Sequence, residues 1–546
     1  MKKLSMHHRD EIYKDMKTTS LDILVIGGGI TGAGILLDTV SRGLKGALID
    51  MQDFGAGTSS RSTKLVHGGL RYLKQLEIKM VSEVGKERAI VYENAPHVTR
   101  PEWMLLPIYK GGTFGKFSTN LGLWFYDYLA GVKKEERRKM LTIEETLTKE
   151  PLLKKEWLKG SGYYVEYKTD DARLTLEVIK KAVALGGNAL NYAKVIELLY
   201  EEGRVVGIVV EDQLNGEMHR IYANKIINAT GPWVDQIREF DKSKGGKTLH
   251  LTKGVHLVFS QKRFPLNQAI YFDTPDGRMV FAIPRSGKTY VGTTDTSYDA
   301  SIKDPRMTKD DLNYLIKAVN YMFPSIELTE NDVESSWVGL RPLIHEDGKS
   351  PSQISRKDEI FNSDSGLISM AGGKLTGYRK MAENVVDLIS KDLGHNIDKS
   401  RTKYMTLSGG EVGGSKGFEI FLEDKINQGI SYGLSHQQSK ELVYRYGSNV
   451  DNVLSEYRKF QTLKEGIDPF IFAMLRYGID NEMICTPSDF FIRRSSALFF
   501  NIDFVNKHKD SVISFMSDEF QWTIEEKEKH NEELLRDIYY TKQPVE

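Results

Sequence analysis

The spacing of apolar residues changes character along the chain. Residues 22–50 read DILVIGGGITGAGILLDTVSRGLKGALID. A β-branched run from Ile23 to Ile26 enters the glycines Gly27, Gly28, Gly29, Gly32 and Gly34. A helix-like segment follows, and a second apolar run from Ala47 to Ile49 ends in Asp50. The pattern predicts strand, turn, helix, strand. Helical periodicity returns from about Lys79 to Asn94 and from Thr119 to Ala130. From Tyr163 a strand leads through a turn into a helix N-capped near Asp170 or Asp171. The runs VIELLYEE, VVGIVVED and HRIYANKIINAT predict a small β-meander that ends in Ala229, Thr230, Gly231 and Pro232. From about Leu249 to Thr294 the pattern is mostly strand, expected as an antiparallel sheet. A helix from Lys309 to Met322 and a strand in VESSWVGLRPL follow. Leu367 to Met370 then repeats the opening logic, an apolar strand before the pair Gly372 and Gly373 and a long amphipathic helix. Beyond residue 395 the pattern is helical, and GGEVGGSKG at 409–417 reads as a linker.

The first glycine cluster carries chemistry. Gly27, Gly29 and Gly32 form G-x-G-x-x-G between a strand and a helix, and Asp50 follows 18 positions after Gly32. Gly27 permits the tight turn, Gly29 lets backbone approach a pyrophosphate at the positive end of the helix, and Gly32 lets helix and strand pack closely. Asp50 is placed to accept hydrogen bonds from a ribose hydroxyl. The motif serves both nicotinamide and flavin dinucleotides. Here the second strand runs into the polar loop TSSRSTKLVHGGLRYL, and a late segment, GGKLTGYRK, returns to the nucleotide fold. That discontinuity suits a flavin held between two domains.

The composition narrows the classes. Of 546 residues, 75 are Lys or Arg and 75 Asp or Glu, giving zero net charge, which argues against nucleic-acid binding by bulk electrostatics. Such length implies two or three domains. Cys485 is the single cysteine, so no internal disulfide or cysteine metal cluster forms, and a reducing compartment fits. No metal site is expected; His7 and His8 are adjacent in an N-terminal segment expected to fray. That segment lacks the apolar core of a signal peptide. No uncharged apolar run is long enough to span a membrane. Residues 100–117 mix Trp103, Lys110 and Lys116 with apolar neighbours; they read first as a packed loop, and second as an interfacial segment.

The segments IGGGITGAG, TSSRSTKLVHGGLRYL, DDARL, NATGPWVD, KGVHLVF, GTTDT, GLRPL and AGGKLTGYRKMAE occur in this order. Together they closely resemble the FAD-dependent, respiratory glycerol-3-phosphate dehydrogenases of the bacterial Gram-positive type. The resemblance is dense from residue 20 to about 395 and looser beyond. It implies an α/β fold of the D-amino-acid-oxidase (glutathione-reductase-2) type. Residues 20–100, 160–240 and 340–395 would form a discontinuous Rossmann-like FAD-binding domain, 101–159 and 241–339 an antiparallel-sheet substrate domain, and 396–546 an all-helical C-terminal domain. It implies non-covalent FAD and oxidation of sn-glycerol 3-phosphate to dihydroxyacetone phosphate. Electrons would pass to membrane quinone; the alternative is an oxidase using oxygen and making hydrogen peroxide. A cytoplasmic protein attached peripherally to the inner membrane face, with a homodimer possible, completes the expectation.

The resemblance also assigns residues. Arg71, Arg341 and Lys374 would contact the substrate, whose phosphate suits the planar donors of arginine and the point charge of lysine. Arg379 is expected to be structural or to support the flavin. Tyr72 is a candidate donor to phosphate or hydroxyl, and Thr293 and Thr294 are candidates at a strand end. The hydroxyl proton needs a base, with His67 and His256 both open, and Arg341 alternatively stabilises the developing alkoxide. For FAD, Gly27, Gly29, Ile30, Thr31 and Gly32 would cradle the pyrophosphate and Asp50 the ribose. Thr58, Ser59, Ser60, Ser62, Lys64 and Leu65 would wrap the ribityl chain and ring. Backbone near Val195 would touch adenine by analogy with the fold, and Thr230 and Gly231 the adenosine half. Gly373, Lys374, Leu375 and Thr376 would lie at a helix start beside the ring.

Overall fold

The structure is a computed structural model that describes residues 4–66, 78–113, 115–129, 136–346, 358–393, 397–460 and 466–546. Two sheets organise it. In the first, strand Leu21–Ile26 pairs in parallel with Gly46–Ile49 on one side and Met218–Asn228 on the other. Asn188–Leu190 extends one edge in parallel and Ile368–Ala371 the other. Ala193–Glu201, Arg204–Asp212 and Met218–Asn228 form the expected meander. Strand order thus reverses beside Leu21–Ile26, the place where α/β sheets open a ligand crevice. The helix Ile30–Ser41 covers this sheet and is buried over most of its length. It packs against helices Asp171–Ala184 and Tyr378–Asp392, so its sequence reads apolar nearly all round. Asp170 caps Asp171–Ala184, accepting the Arg173 N–H at 3.1 Å.

The second sheet has ten strands, antiparallel except where Ala269–Asp273 meets Thr99–Tyr109. The long pair Lys247–Ser260 and Val333–Glu346 forms one end of it, and helix Lys309–Met322 closes a core against one face. A capping box fixes that helix start, Thr308 accepting the Asp311 N–H and Asp311 accepting the Thr308 N–H.

Several expectations change. Strand Leu158–Thr169 runs through the boundary expected near 160, and Val333–Glu346 through the one near 340. Leu65–Val66, expected in the cofactor domain, pairs into the second sheet. Ladder hydrogen bonds carry each of these strands across the boundaries that the resemblance implies. The stretch up to Tyr109 is no loop: it is a strand paired on both sides, with Trp103 stacked 4.5 Å from Tyr163. The N-terminal segment is not frayed. Helix Arg9–Thr18 buries Tyr13 and Met16 in the first core, and Arg9 binds Asp212 at 2.8 Å and the Asn191 carbonyl at 2.6 Å.

The stretch 409–417 is not a loose linker either. A β-carbon on Gly409 would stand 2.6 Å from the Tyr446 carbonyl oxygen, and one on Gly447 only 1.9 Å from that of Gly409. These glycines let backbones touch. The helices beyond residue 414 share one apolar cluster with side chains of the second sheet, including Met104, Tyr290 and Trp337. Ser335 and Ser336 donate to the carbonyls of Phe499 and Thr541 respectively, the latter at 2.7 Å. Among the described residues, no helix is long and apolar enough to cross a membrane, and no group of side chains could hold a metal ion.

Candidate functional site

A cleft opens at the carboxyl ends of the parallel strands, lined by residues that directly follow four of them: Gly27, Asp50, Ala229 and Gly372. Gly27 has φ +111°, and a β-carbon there would lie 2.5 Å from the Ala229 carbonyl oxygen. A β-carbon on Gly32 would lie 1.9 Å from the Gly27 carbonyl oxygen, so Gly32 serves helix–strand packing and does not line the cleft. Gly29 caps Ile30–Ser41 without a side-chain bond, which leaves the positive helix end open to the cleft beside Ile30 and Thr31.

Asp50 accepts the Gly28 N–H at 2.6 Å and the Gln52 N–H at 2.8 Å. Burial, opposed by those two bonds, pushes its pKa up to about 7. Thr58, Ser59 and Ser62 line the cleft, as do Val195, Thr230, Gly231, Gly373, Lys374 and Leu375. The loop carrying the first three is fastened to the second sheet. Thr58 donates to the Leu340 carbonyl at 2.7 Å, and the Ser62 and Thr63 carbonyls accept from Trp337 and Tyr290, each at 3.0 Å. Ser59 accepts the Ile30 N–H at 2.9 Å, tying the loop to the helix start.

Four expected cofactor residues stand behind this wall: Ser60, Lys64, Leu65 and Thr376 are buried but do not line the cleft. Lys64 is 1 % exposed and pairs with Asp171 at 2.6 Å, 107 positions later. A buried ammonium takes the nearest buried carboxylate, and Lys64 is thereby committed to the core.

Sequence reasoning missed Gln52, which lines the cleft with its buried side-chain nitrogen lacking any partner. Its signal was a polar residue two positions past Asp50, just after the strand Gly46–Ile49. Trp233 and Phe240, also lining, lie on the turn and helix after Ala229–Pro232. A glycine cradle, a helix start that has a glycine at its cap position, an acid and an orphaned amide donor fit the pyrophosphate and ribose of a dinucleotide.

Pro342 and Lys374 line the same cleft, and Arg341 precedes Pro342 on strand Val333–Glu346. The Arg341 guanidinium donates to the Thr294 carbonyl and Asp295 carboxylate at 3.2 Å each, and to the Thr293 hydroxyl at 3.0 Å. Gly254, on the neighbouring strand, makes room: a β-carbon there would lie 2.6 Å from Arg341 Nη2. Thr294 departs from its expected substrate role. It is 1 % exposed, and its hydroxyl accepts the Val255 N–H at 3.1 Å and donates to the Lys253 carbonyl at 3.3 Å.

His256 is likewise structural. It is 2 % exposed, stacked on Trp337 at 4.6 Å, with Nε2 3.0 Å from the Thr63 hydroxyl. Burial, then the nearby charges of Arg341 and Lys64, hold its pKa well below the usual histidine value. A neutral imidazole sealed between a ring and a strand has no path to a substrate proton. Arg379 is structural too, gripping both carboxylate oxygens of Glu87 at 2.8 and 2.6 Å. His67, Arg71 and Tyr72 lie outside the described residues.

Comparison with known proteins agrees with this geometry. Residues 22–379 match the family of FAD dependent oxidoreductases, and residues 400–527 match the C-terminal domain of alpha-glycerophosphate oxidase. The chain is 61% identical to the aerobic glycerol-3-phosphate dehydrogenase of Bacillus subtilis, over 98% of each chain. It is 54% identical to the Staphylococcus aureus protein of that name, over 98% of this chain and 97% of the other. The crystal structure of a Bacillus halodurans glycerol-3-phosphate dehydrogenase complexed with FAD superposes with a TM-score of 0.87 at 51% identity, covering 99% of both chains. The chain belongs to the FAD-dependent oxidoreductases, within their aerobic glycerol-3-phosphate dehydrogenase group.

Proposed function

We propose that this protein oxidises sn-glycerol 3-phosphate to dihydroxyacetone phosphate and passes the electrons to a membrane quinone. The observation that carries the reading is Arg341, oriented by Thr293, Thr294 and Asp295 next to a cleft built for a dinucleotide. FAD, when bound, supplies the acceptor for the hydride leaving C2. The chain supplies the rest. Arg341 and Lys374, with Arg71 and Tyr72, bind the phosphate end and fix the alcohol in place. The hydroxyl proton passes to His67, the candidate base left once His256 is withdrawn into the core. Hydride and proton together leave the ketone.

Quinone delivery implies contact with the inner face of the cell membrane from the cytoplasm. Leu121 and Trp124, 52 and 48 % exposed on helix Lys116–Leu129, offer apolar side chains for a peripheral attachment. The test is an anaerobic titration of the purified protein with glycerol 3-phosphate, followed by flavin absorbance. Bleaching is expected, with fast reoxidation by a quinone analogue and slow reoxidation by air. The reverse order would mark an oxidase, and an unbleached flavin would overturn the reading.

A pH dependence follows from Asp50. A ribose hydroxyl bonds more strongly to the carboxylate than to the acid. With the carboxyl pKa pushed up to about 7, FAD affinity falls as pH drops through 7 and levels off above it. Fluorescence titration of apoprotein from pH 5.5 to 8.5 measures this; Asp50→Asn is expected to bind more weakly and to lose the pH dependence.

A further inference from the structure

Asp53 follows the cofactor-lining residues Asp50, Met51 and Gln52, and it is 1 % exposed. Its carboxylate is fully engaged. One oxygen accepts the Asn191 amide at 3.0 Å and Arg494 Nη2 at 2.9 Å; the other accepts Arg494 Nη1 at 2.5 Å and Arg493 Nε. Both counter-charges therefore come from the C-terminal helices, more than 400 positions away.

Consecutive residues of an α-helix point in different directions. Here Asp489–Arg494 is a single π-turn, a wider coil often found at functional positions, and it aims Arg493 and Arg494 at one carboxylate. The pair is itself held. Arg493 donates to Asp489 at 2.6 Å, and Arg494 to the Glu482 carbonyl at 2.6 Å. Asp489 also accepts the Tyr192 hydroxyl at 2.7 Å, while the Tyr192 and Ala193 N–H groups donate to the carbonyls of Gln52 and Asp50 at 3.0 and 2.7 Å. Two routes thus join the π-turn to the residues that line the cleft.

We propose that Arg493 and Arg494 are positioning residues for FAD: through Asp53 and Tyr192 they hold the Asp50–Gln52 turn in its cofactor-binding shape. FAD binding and docking of the C-terminal helices then stabilise one another, because a coupling between two sites is reciprocal. The inference rests on the reading above that FAD lies in this cleft with its ribose at Asp50.

The test uses full-length protein stripped of FAD and titrated with it, following flavin fluorescence, together with amide hydrogen exchange. In the wild type, FAD should slow exchange across residues 485–500. Asp53→Asn and Arg494→Lys should weaken FAD binding at least tenfold, shrink that protection, and keep kcat at saturating FAD and KM for glycerol 3-phosphate within twofold. The paired variant Asp53→Asn/Arg494→Gln leaves no isolated buried charge and serves if either single variant fails to fold. Wild-type FAD affinity in the variants would overturn the proposal. So would exchange at 485–500 indifferent to FAD, or a kcat that saturating FAD does not restore. A wild type that binds no FAD would instead sink the cleft assignment itself, a separate outcome.

Discussion

Arg341→Ala is expected to retain FAD and to lose about 10²–10³-fold in kcat/KM for glycerol 3-phosphate, the usual range for removing one preorganised donor from an active site. The two effects separate because Arg341 sits beside the cleft wall without being part of it. Hydrogen bonds to Thr293, Thr294 and Asp295 fix the guanidinium plane before any substrate arrives. A preset donor spends little entropy on orientation when it meets an anion. Arg341→Lys keeps the charge but not the fork, so it should recover only part of the loss. Stopped-flow reduction of the flavin under anaerobic conditions gives the rate, and the absorbance ratio of flavin to protein gives the cofactor content. An alanine variant isolated without flavin would place Arg341 in cofactor binding instead.

Lys64→Met is expected to cost about 3–5 kcal/mol of stability, the usual penalty for removing one partner of a buried ion pair. Asp171 is 0 % exposed, and it would keep the Ser62 N–H and hydroxyl at 2.9 and 2.7 Å while losing the Lys64 ammonium. Hydrogen bonds from neutral donors do not replace a counter-charge in the interior. Urea unfolding followed by flavin release reads the loss. Adding Asp171→Asn should return part of it, because the stranded charge is then gone; a double variant no more stable than Lys64→Met would show that packing, not charge, dominates. Since Lys64 anchors the loop that carries Ser59 and Ser62, flavin release and unfolding should coincide.

Local pattern was readable and distant pairing was not. The helix Lys309–Met322 and the strand–glycine–helix unit at 21–41 could be drawn from apolar spacing and glycine placement, because both report burial within a few residues. Gly27, Gly29, Asp50, Ser59 and Ser62 pointed to the cleft that the fold builds. Lys64, Thr294 and His256 looked like site residues because they sit within the family's motifs. Their roles were settled by partners elsewhere in the chain: Asp171 for Lys64, the Lys253 and Val255 backbone for Thr294, Thr63 and Trp337 for His256. Arg9 shows the same limit, a charge in an apparently solvated segment whose partners lie near residues 191 and 212. The glycines at 409–417 read as a linker because composition cannot distinguish a glycine that bends from one that admits another backbone.

The parallel sheet beneath the cleft has a consequence for the order in which the protein is made. Its first strand ends at Ile26 and its last parallel strand, just before Gly372 and Gly373, ends at Ala371. At roughly 5–20 residues per second of synthesis, the ribosome needs about 20–70 s to produce the second after the first. During that interval the nascent chain holds the glycine turn but not the far wall of the cleft. Cofactor capture is therefore a late event in biosynthesis, and a cell short of flavin should accumulate finished, released apoprotein rather than stalled half-made chains.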